Sequence, residues 1–122
     1  MATAMKLNQQ VILIAGGASG IGQQTATHLA QQGAKIAVGD INLDAAKHTA
    51  ATICSAGGNA IALGYDQADE ASTHTLIDDT VAHFGRLNGL FANAADLQIV
   101  MQDSDILAMA TDVWQRTLTV NV

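Results

Sequence analysis

Val11 to Gly22 reads VILIAGGASGIG. Four apolar residues, Val11, Ile12, Leu13 and Ile14, run directly into a turn that carries Gly16, Gly17, Gly20 and Gly22. A short apolar run bounded by turn residues predicts a strand covered on both faces. The segment from Ile21 to Gln32 then reads as a helix, with Ile21, Thr25 and Leu29 repeating along one face. Strand, glycine turn and helix in that order make a phosphate cradle. Missing side chains let the backbone approach an anion, and the first N–H groups of the helix have no intrahelical partner. The spacing is G-x-x-x-G-x-G through Gly16, Gly20 and Gly22, not the commoner G-x-G-x-x-G. Taken alone, the turn also fits a plain strand-to-helix junction that binds nothing.

Outward from this stretch the chain alternates. Gly33 ends the first helix, and Lys35 to Asp40 (KIAVGD) predicts a second strand. Asn42 is placed to cap a helix whose apolar face is Leu43, Ala46, Ala50 and Ile53, ended by Gly57 and Gly58. Asn59 to Tyr65 reads as a third strand. A third helix starts at Asp69 or Ser72, buries Leu76, Ile77, Val81 and Phe84, and ends at Gly85. Leu87 to Asn93 reads as a fourth strand, 96–110 as a connection of weak periodicity, and Thr111 as the cap of a last helix. Strands alternating with helices predict an α/β fold, a doubly wound parallel sheet with helices on both faces, in one continuous domain over 1–122.

Composition narrows the function classes. With eleven acids against five scattered bases the net charge is −6, which argues against nucleic acid or an anionic membrane surface as partner. No apolar run approaches the roughly 20 residues of a membrane span, and MATAMKLNQQ lacks the apolar core of a signal peptide, so a cytoplasmic location is expected. Cys54 is the single cysteine, which excludes a disulfide framework and a zinc pattern; it is expected as a small core residue on a helix. His28, His48, His74 and His83 share no spacing and read as exposed helix residues, and no metal cluster is visible.

The polar candidates fall at strand ends. Asp40 closes the second strand, eighteen residues beyond Gly22, with Ile41 after it and no base nearby. A carboxylate there can accept hydrogen bonds from ribose hydroxyls, and it repels a 2′-phosphate. Asp66 follows the third strand, and Asn93, Ala94 and Ala95 follow the fourth. Each residue singly fits turn chemistry. Together they put glycines, two acids and an amide along one crevice at the carboxyl ends of the strands, where open α/β sheets bind ligands.

These motifs resemble the short-chain dehydrogenase/reductase family, with its Rossmann-like fold and strand order 3-2-1-4. Its T-G-x-x-x-G-I-G motif is similar to Ala15 to Gly22, its acid after the second strand to Asp40, and its adenine-side Asp to Asp66 followed by Gln67. Its N-N-A-G motif is similar to Ala92 to Ala95, and its W-x-x-x-x-x-V-N pattern to Trp114 through Asn121. The resemblance covers the whole chain. It implies that NAD is the cofactor. Gly16, Ser19, Gly20, Ile21 and Gly22 would surround the pyrophosphate, Asp40 and Ile41 the adenosine ribose, and Asp66 and Gln67 the adenine. Asn93, Ala94 and Ala95 would line the path to the nicotinamide ribose, and Asn121 would be the catalytic asparagine.

The departures are Ala15 for threonine, Ala92 for the first asparagine and Ala95 for glycine. The family's catalytic serine and Tyr-x-x-x-Lys pair lie beyond the asparagine matched by Asn121. The only tyrosine here is Tyr65, and four residues on stands Asp69. The expected function is therefore the NAD-binding portion of an oxidoreductase that moves hydride between NAD(H) and an alcohol or carbonyl substrate. The 122 residues alone are expected to bind cofactor without turnover, and to self-associate as a homo-oligomer through a fourth strand at the sheet edge or to require the remaining half. The competing readings are a stand-alone adenine-nucleotide module without catalysis and a structural domain with an empty cradle.

Overall fold

The computed structural model describes residues 7–122. Four parallel strands, β1 (Val11–Ala15), β2 (Lys35–Asp40), β3 (Asn59–Gly64) and β4 (Gly89–Ala92), form one sheet in the order β3-β2-β1-β4. Between them run α1 (Gly20–Gln31), α2 (Leu43–Ser55) and α3 (Glu70–Phe84), and a 3₁₀ turn (Ile99–Gln102) precedes α4 (Thr111–Asn121). The expected α/β class and strand order are both present. Strand β4 is shorter than the Leu87–Asn93 expectation, and β3 stops one residue before Tyr65.

The continuous apolar run of β1 exists because both its faces are covered. Ile14 joins Ile36 and Val38 against Ala26 of α1 and Ala46, Ala50 and Ile53 of α2. Leu13, Ala15 and Ala37 turn to the other face, under Leu76 of α3 and Tyr65. Alanines on the helix faces let backbone approach sheet, so few large side chains are needed.

The helix ends follow local chemistry. Asn42 Oδ1 accepts the Ala45 N–H at 3.1 Å, and Asp69 Oδ1 accepts the Ala71 N–H at 3.0 Å, so Asp69 and not Ser72 starts α3. Thr111 is not the cap of α4. It is the first helical residue, and Ala110 precedes it with no side-chain bond.

Three side chains depart from expectation. Val81 is exposed, because the position of α3 that faces the sheet is taken by Thr80, whose hydroxyl is satisfied by the Leu76 carbonyl at 2.8 Å. Leu43 sits at the open start of α2 and is also exposed. Cys54 is exposed rather than in the core: Ala50 and Ile53 face the sheet, and the next residue turns about 100° away.

Strand β4 closes on β1 through a seam that is long in sequence. Asn88 Oδ1 accepts the Val11 N–H at 2.8 Å, Arg86 donates to the Gln9 carbonyl at 2.6 Å, and Asn93 Nδ2 donates to the Gly16 carbonyl at 3.2 Å; each pair is 77 residues apart. The outer edge of β4 has no strand beside it among the described residues.

Candidate functional site

The carboxyl ends of all four strands point to the same side of the sheet, because the strands are parallel and paired in register, from Ala15 beside Gly39 to Asp40 beside Gly64. There a groove of about 790 Å³ opens. Gly16, Ser19, Gly20, Ile21, Asp40, Ile41, Asp66, Gln67, Asn93, Ala94 and Ala95 line it. Those are all the expected binding residues except Gly22, which lies buried behind the cradle.

The glycines are sterically required. Gly16 has φ +89, and a Cβ there would stand 2.7 Å from the Ala94 backbone. A Cβ on Gly22 would land on the Gly16 carbonyl oxygen and 2.9 Å from Asn93 Nδ2. Ser19 precedes α1 without capping it through its side chain. The N–H groups of Gly20, Ile21 and Gly22 consequently make no hydrogen bond among the described residues. Unpaired donors at a helix start, with no side chain in front of them, fit a phosphate group.

Asp40 is fastened at both oxygens. Oδ2 accepts the Ala18 N–H at 3.1 Å and Oδ1 the Asn42 N–H at 3.0 Å. Each oxygen keeps a second lone pair for a ligand hydroxyl. Gly16 and Gly17 both donate to the Gly39 carbonyl, so the loop after β1 is held by the end of β2. Strand β1 is also linked to the motif after β4, with Ala15 contributing through its backbone. The Asn93 N–H donates to the Ala15 carbonyl at 2.9 Å, and the Asn93 side chain donates to Gly16.

Asp66 Oδ1 accepts the Ala68 N–H at 2.9 Å, and its own N–H donates to Ser72 Oγ. Tyr65 is buried below it. Burial, then the charges of Asp40 and Asp66, push its hydroxyl from 10.0 up to about 12. Tyr65 donates to Gln67 Oε1 at 2.9 Å.

Asn121 does not line the groove. Its Oδ1 accepts the Asp96 N–H at 2.7 Å, so it holds the loop that follows the Asn93 motif. Sequence reasoning missed Tyr65, Asp96, Leu97, Gln98, Arg116 and Val120 as lining residues. Arg116 Nε donates to Asp96 Oδ2 at 3.1 Å, and that hydrogen bond, ahead of the backbone bonds from Ile99 and Gln98, holds the Asp96 carboxyl below its usual range. Nothing periodic marks such a pair, since a loop residue meets a helix residue twenty positions on.

All four histidines are exposed on helices, as expected. Among the described residues no group of three or more His, Cys, Asp or Glu is placed to hold a metal ion. No helix there is long and apolar enough to cross a membrane.

A glycine cradle, a carboxylate across from it and an asparagine closing the far side, on a parallel sheet of this order, define a doubly wound α/β protein with its ligand groove at the strand ends. The chain belongs to the short-chain dehydrogenase family, whose profile matches residues 10–122. It is 37% identical over 117 residues to a cyclohexanol dehydrogenase of Acinetobacter sp. (strain SE19), covering 96% of this chain and 45% of that one. Among solved structures, it superposes on a doubly substituted short-chain dehydrogenase/reductase of Serratia marcescens with TM-score 0.88 at 33% identity, over 97% of this chain and 47% of that one. A 7α-hydroxysteroid dehydrogenase complexed with NADH and 7-oxo glycochenodeoxycholic acid gives TM-score 0.86 at 30% identity, over 96% of this chain and 44% of that one. The chain thus spans about half the length of the relatives it matches.

Proposed function

We propose that the groove holds NAD(H), and that the whole protein uses it to move hydride between the nicotinamide and an alcohol or carbonyl substrate. The observation that carries this reading is the gathering of eleven expected binding residues around one groove, with the Asp40 carboxylate tied to the glycine loop. Gly20 and Ile21 would donate backbone N–H groups to the pyrophosphate, with Gly22 behind them keeping the cradle closely packed. Asp40 would accept from the adenosine ribose hydroxyls, with Ile41 beside it, and Asp66 and Gln67 would border the adenine. Asn93, Ala94 and Ala95 would form the wall toward the nicotinamide ribose. The cofactor supplies the hydride acceptor or donor; the residues of this chain bind it, orient it and select its adenosine half.

The preference for NAD over NADP rests on Asp40. Two unit charges about 4 Å apart at an effective dielectric of about 20 interact by ~4 kcal/mol. Even after screening, ~1.4 kcal/mol is tenfold in affinity. Calorimetric titration of the chain with NADH and NADPH tests this, and equal or tighter NADPH binding rejects it.

Carbonyl reduction also needs a proton donor tuned near working pH. Tyr65 is pushed up to about 12 and is committed to Gln67, so it does not serve. Asn121, the one member of the family's catalytic set present, is committed to Asp96. The 122 residues therefore bind cofactor without turning over alcohols or ketones. A nicotinamide absorbance assay over a broad substrate panel tests that, and turnover that survives repurification rejects it. We also assign the protein to the cytosol, as its acidic composition fits a freely diffusing enzyme; cell fractionation tests this. We also propose that the 122-residue chain either self-associates through the β4 edge, which has no strand beside it among the described residues and where Leu90 is 56% exposed, or requires the remaining half to cover it.

A further inference from the structure

We propose that Gln67 is a positioning residue that couples the adenine end of the groove to its nicotinamide end, by holding α4 and the Ala94 carbonyl in place. This rests on the NAD(H) reading above and deepens it.

Gln67 stands one residue past Asp66, where a contact with adenine is the simple expectation. Its amide is already committed. Oε1 accepts from Tyr65 at 2.9 Å, while Nε2 donates to the Val120 carbonyl at 2.8 Å and to the Ala94 carbonyl at 3.3 Å. The orientation of the amide is fixed by its partners. Tyr65 keeps its proton, since burial and two nearby carboxylates push it up to about 12, so its hydroxyl has a hydrogen to donate to Oε1. Two carbonyls can only face the NH₂ group. Both N–H bonds are therefore used, and none is left to read a base.

The bonds cross 27 and 53 residues and join the ends of β3 and β4 to α4. Val120 precedes Asn121, whose side chain accepts the Asp96 N–H, and Asp96 in turn pairs with Arg116 of α4. Beneath Gln67 lies an apolar cavity of about 300 Å³ between Leu13, Leu76, Ile77, Leu90 and Val120. Across this gap the Gln67 amide ties α4 to the sheet with two hydrogen bonds. Releasing it frees the wall formed by Ala94 and α4 while leaving the glycine cradle and Asp40 untouched.

ADP occupies only the cradle and the adenosine side, whereas NADH also needs the far wall. Calorimetry with both ligands on the wild-type chain, Gln67→Leu and Gln67→Glu separates the possibilities. Gln67→Leu keeps the volume. It is expected to hold ADP within about twofold and to lose NADH affinity about tenfold, the scale of one or two net hydrogen bonds. Gln67→Glu sets a carboxylate against two carbonyl oxygens at neutral pH and gives the same split. That split shrinks relative to wild type on acidification, as the carboxyl regains a proton to donate. Equal loss of ADP and NADH, which direct adenine contact or a lost fold produces, overturns the proposal, as does no loss of either. A wild-type chain that binds neither ligand overturns the NAD(H) reading itself, and this inference with it.

Discussion

Asp40 Oδ2 accepts the backbone N–H of Ala18 at 3.1 Å, so the acid that ends β2 is fastened to the glycine loop that follows β1. One carboxylate thereby shapes the glycine loop and, in the reading proposed above, would present its remaining lone pairs to a ribose.

Asp40→Asn tests that double role. An amide has one acceptor oxygen for the two N–H groups, of Ala18 and Asn42, that Asp40 now serves. NADH affinity is expected to fall about tenfold and the preference over NADPH to collapse, because the charge that repels a 2′-phosphate is gone. An unchanged NADH-to-NADPH ratio in calorimetry removes Asp40 from the specificity argument.

Gly22→Ala and Gly20→Ala differ in kind. A Cβ at Gly22 meets the Gly16 carbonyl and Asn93 Nδ2, both parts of the β1–β4 seam. Overpacking of that sort costs roughly 1–3 kcal/mol, and nucleotide binding is expected to be lost. A Cβ at Gly20 meets nothing within 4 Å, but φ is +54. That substitution costs about 1 kcal/mol of backbone strain and leaves the seam intact. Thermal unfolding should rank Gly22→Ala as clearly worse; the reverse order contradicts the cradle geometry.

Tyr65 is the single tyrosine, so its ionisation can be read alone by phenolate absorbance. In the folded chain the midpoint is expected at about 12, and in denaturant at the ordinary 10.0. A raised folded pKa means the folded state holds the proton more tightly. The stability it contributes is fully present below about 10 and is lost as pH rises through about 12. A midpoint near 10 with the circular dichroism unchanged is the contrary result.

Leu90→Lys tests the free edge of β4. Leu90 is 56% exposed on that strand, and Trp114 and Leu118 of α4 are exposed as well. Light scattering is expected to show concentration-dependent association of the 122-residue chain, reduced by the charge on the edge strand. A monomer at all concentrations for both chains rules the edge out as an interface.

The fold was legible because its signals are local. The apolar run of Val11 to Ile14, the glycines after it and the acids at strand ends each announce themselves within a few residues, and parallel pairing carries them to one side. What was not legible depends on partners far away. Gln67 meets Val120 and Asp96 meets Arg116 only because α4 returns over the strand ends. Hydropathy also misjudged the phase of α3, since Thr80 is not an apolar residue yet takes the buried position once its hydroxyl bonds to the turn behind it. Val81 was displaced to solvent, and Cys54 is exposed at the margin of α2, its Sγ donating to the Ala60 carbonyl of β3 at 3.4 Å, because Ile53 takes the inward position.

The seam that joins Asn88 to Val11, Arg86 to Gln9 and Asn93 to Gly16 has a kinetic consequence. Strands β1, β2 and β3 are near neighbours in sequence, whereas β4 must close a far longer loop before its contacts reward it. The cradle gains its far wall only at that closure. Docking of β4 is therefore expected as the late step of folding and the first to reverse, and the nucleotide proposed above would act as a latch on it. In hydrogen exchange, the amides of Val11, Asn88 and Asn93 should gain protection on nucleotide addition, while those inside β2 change little.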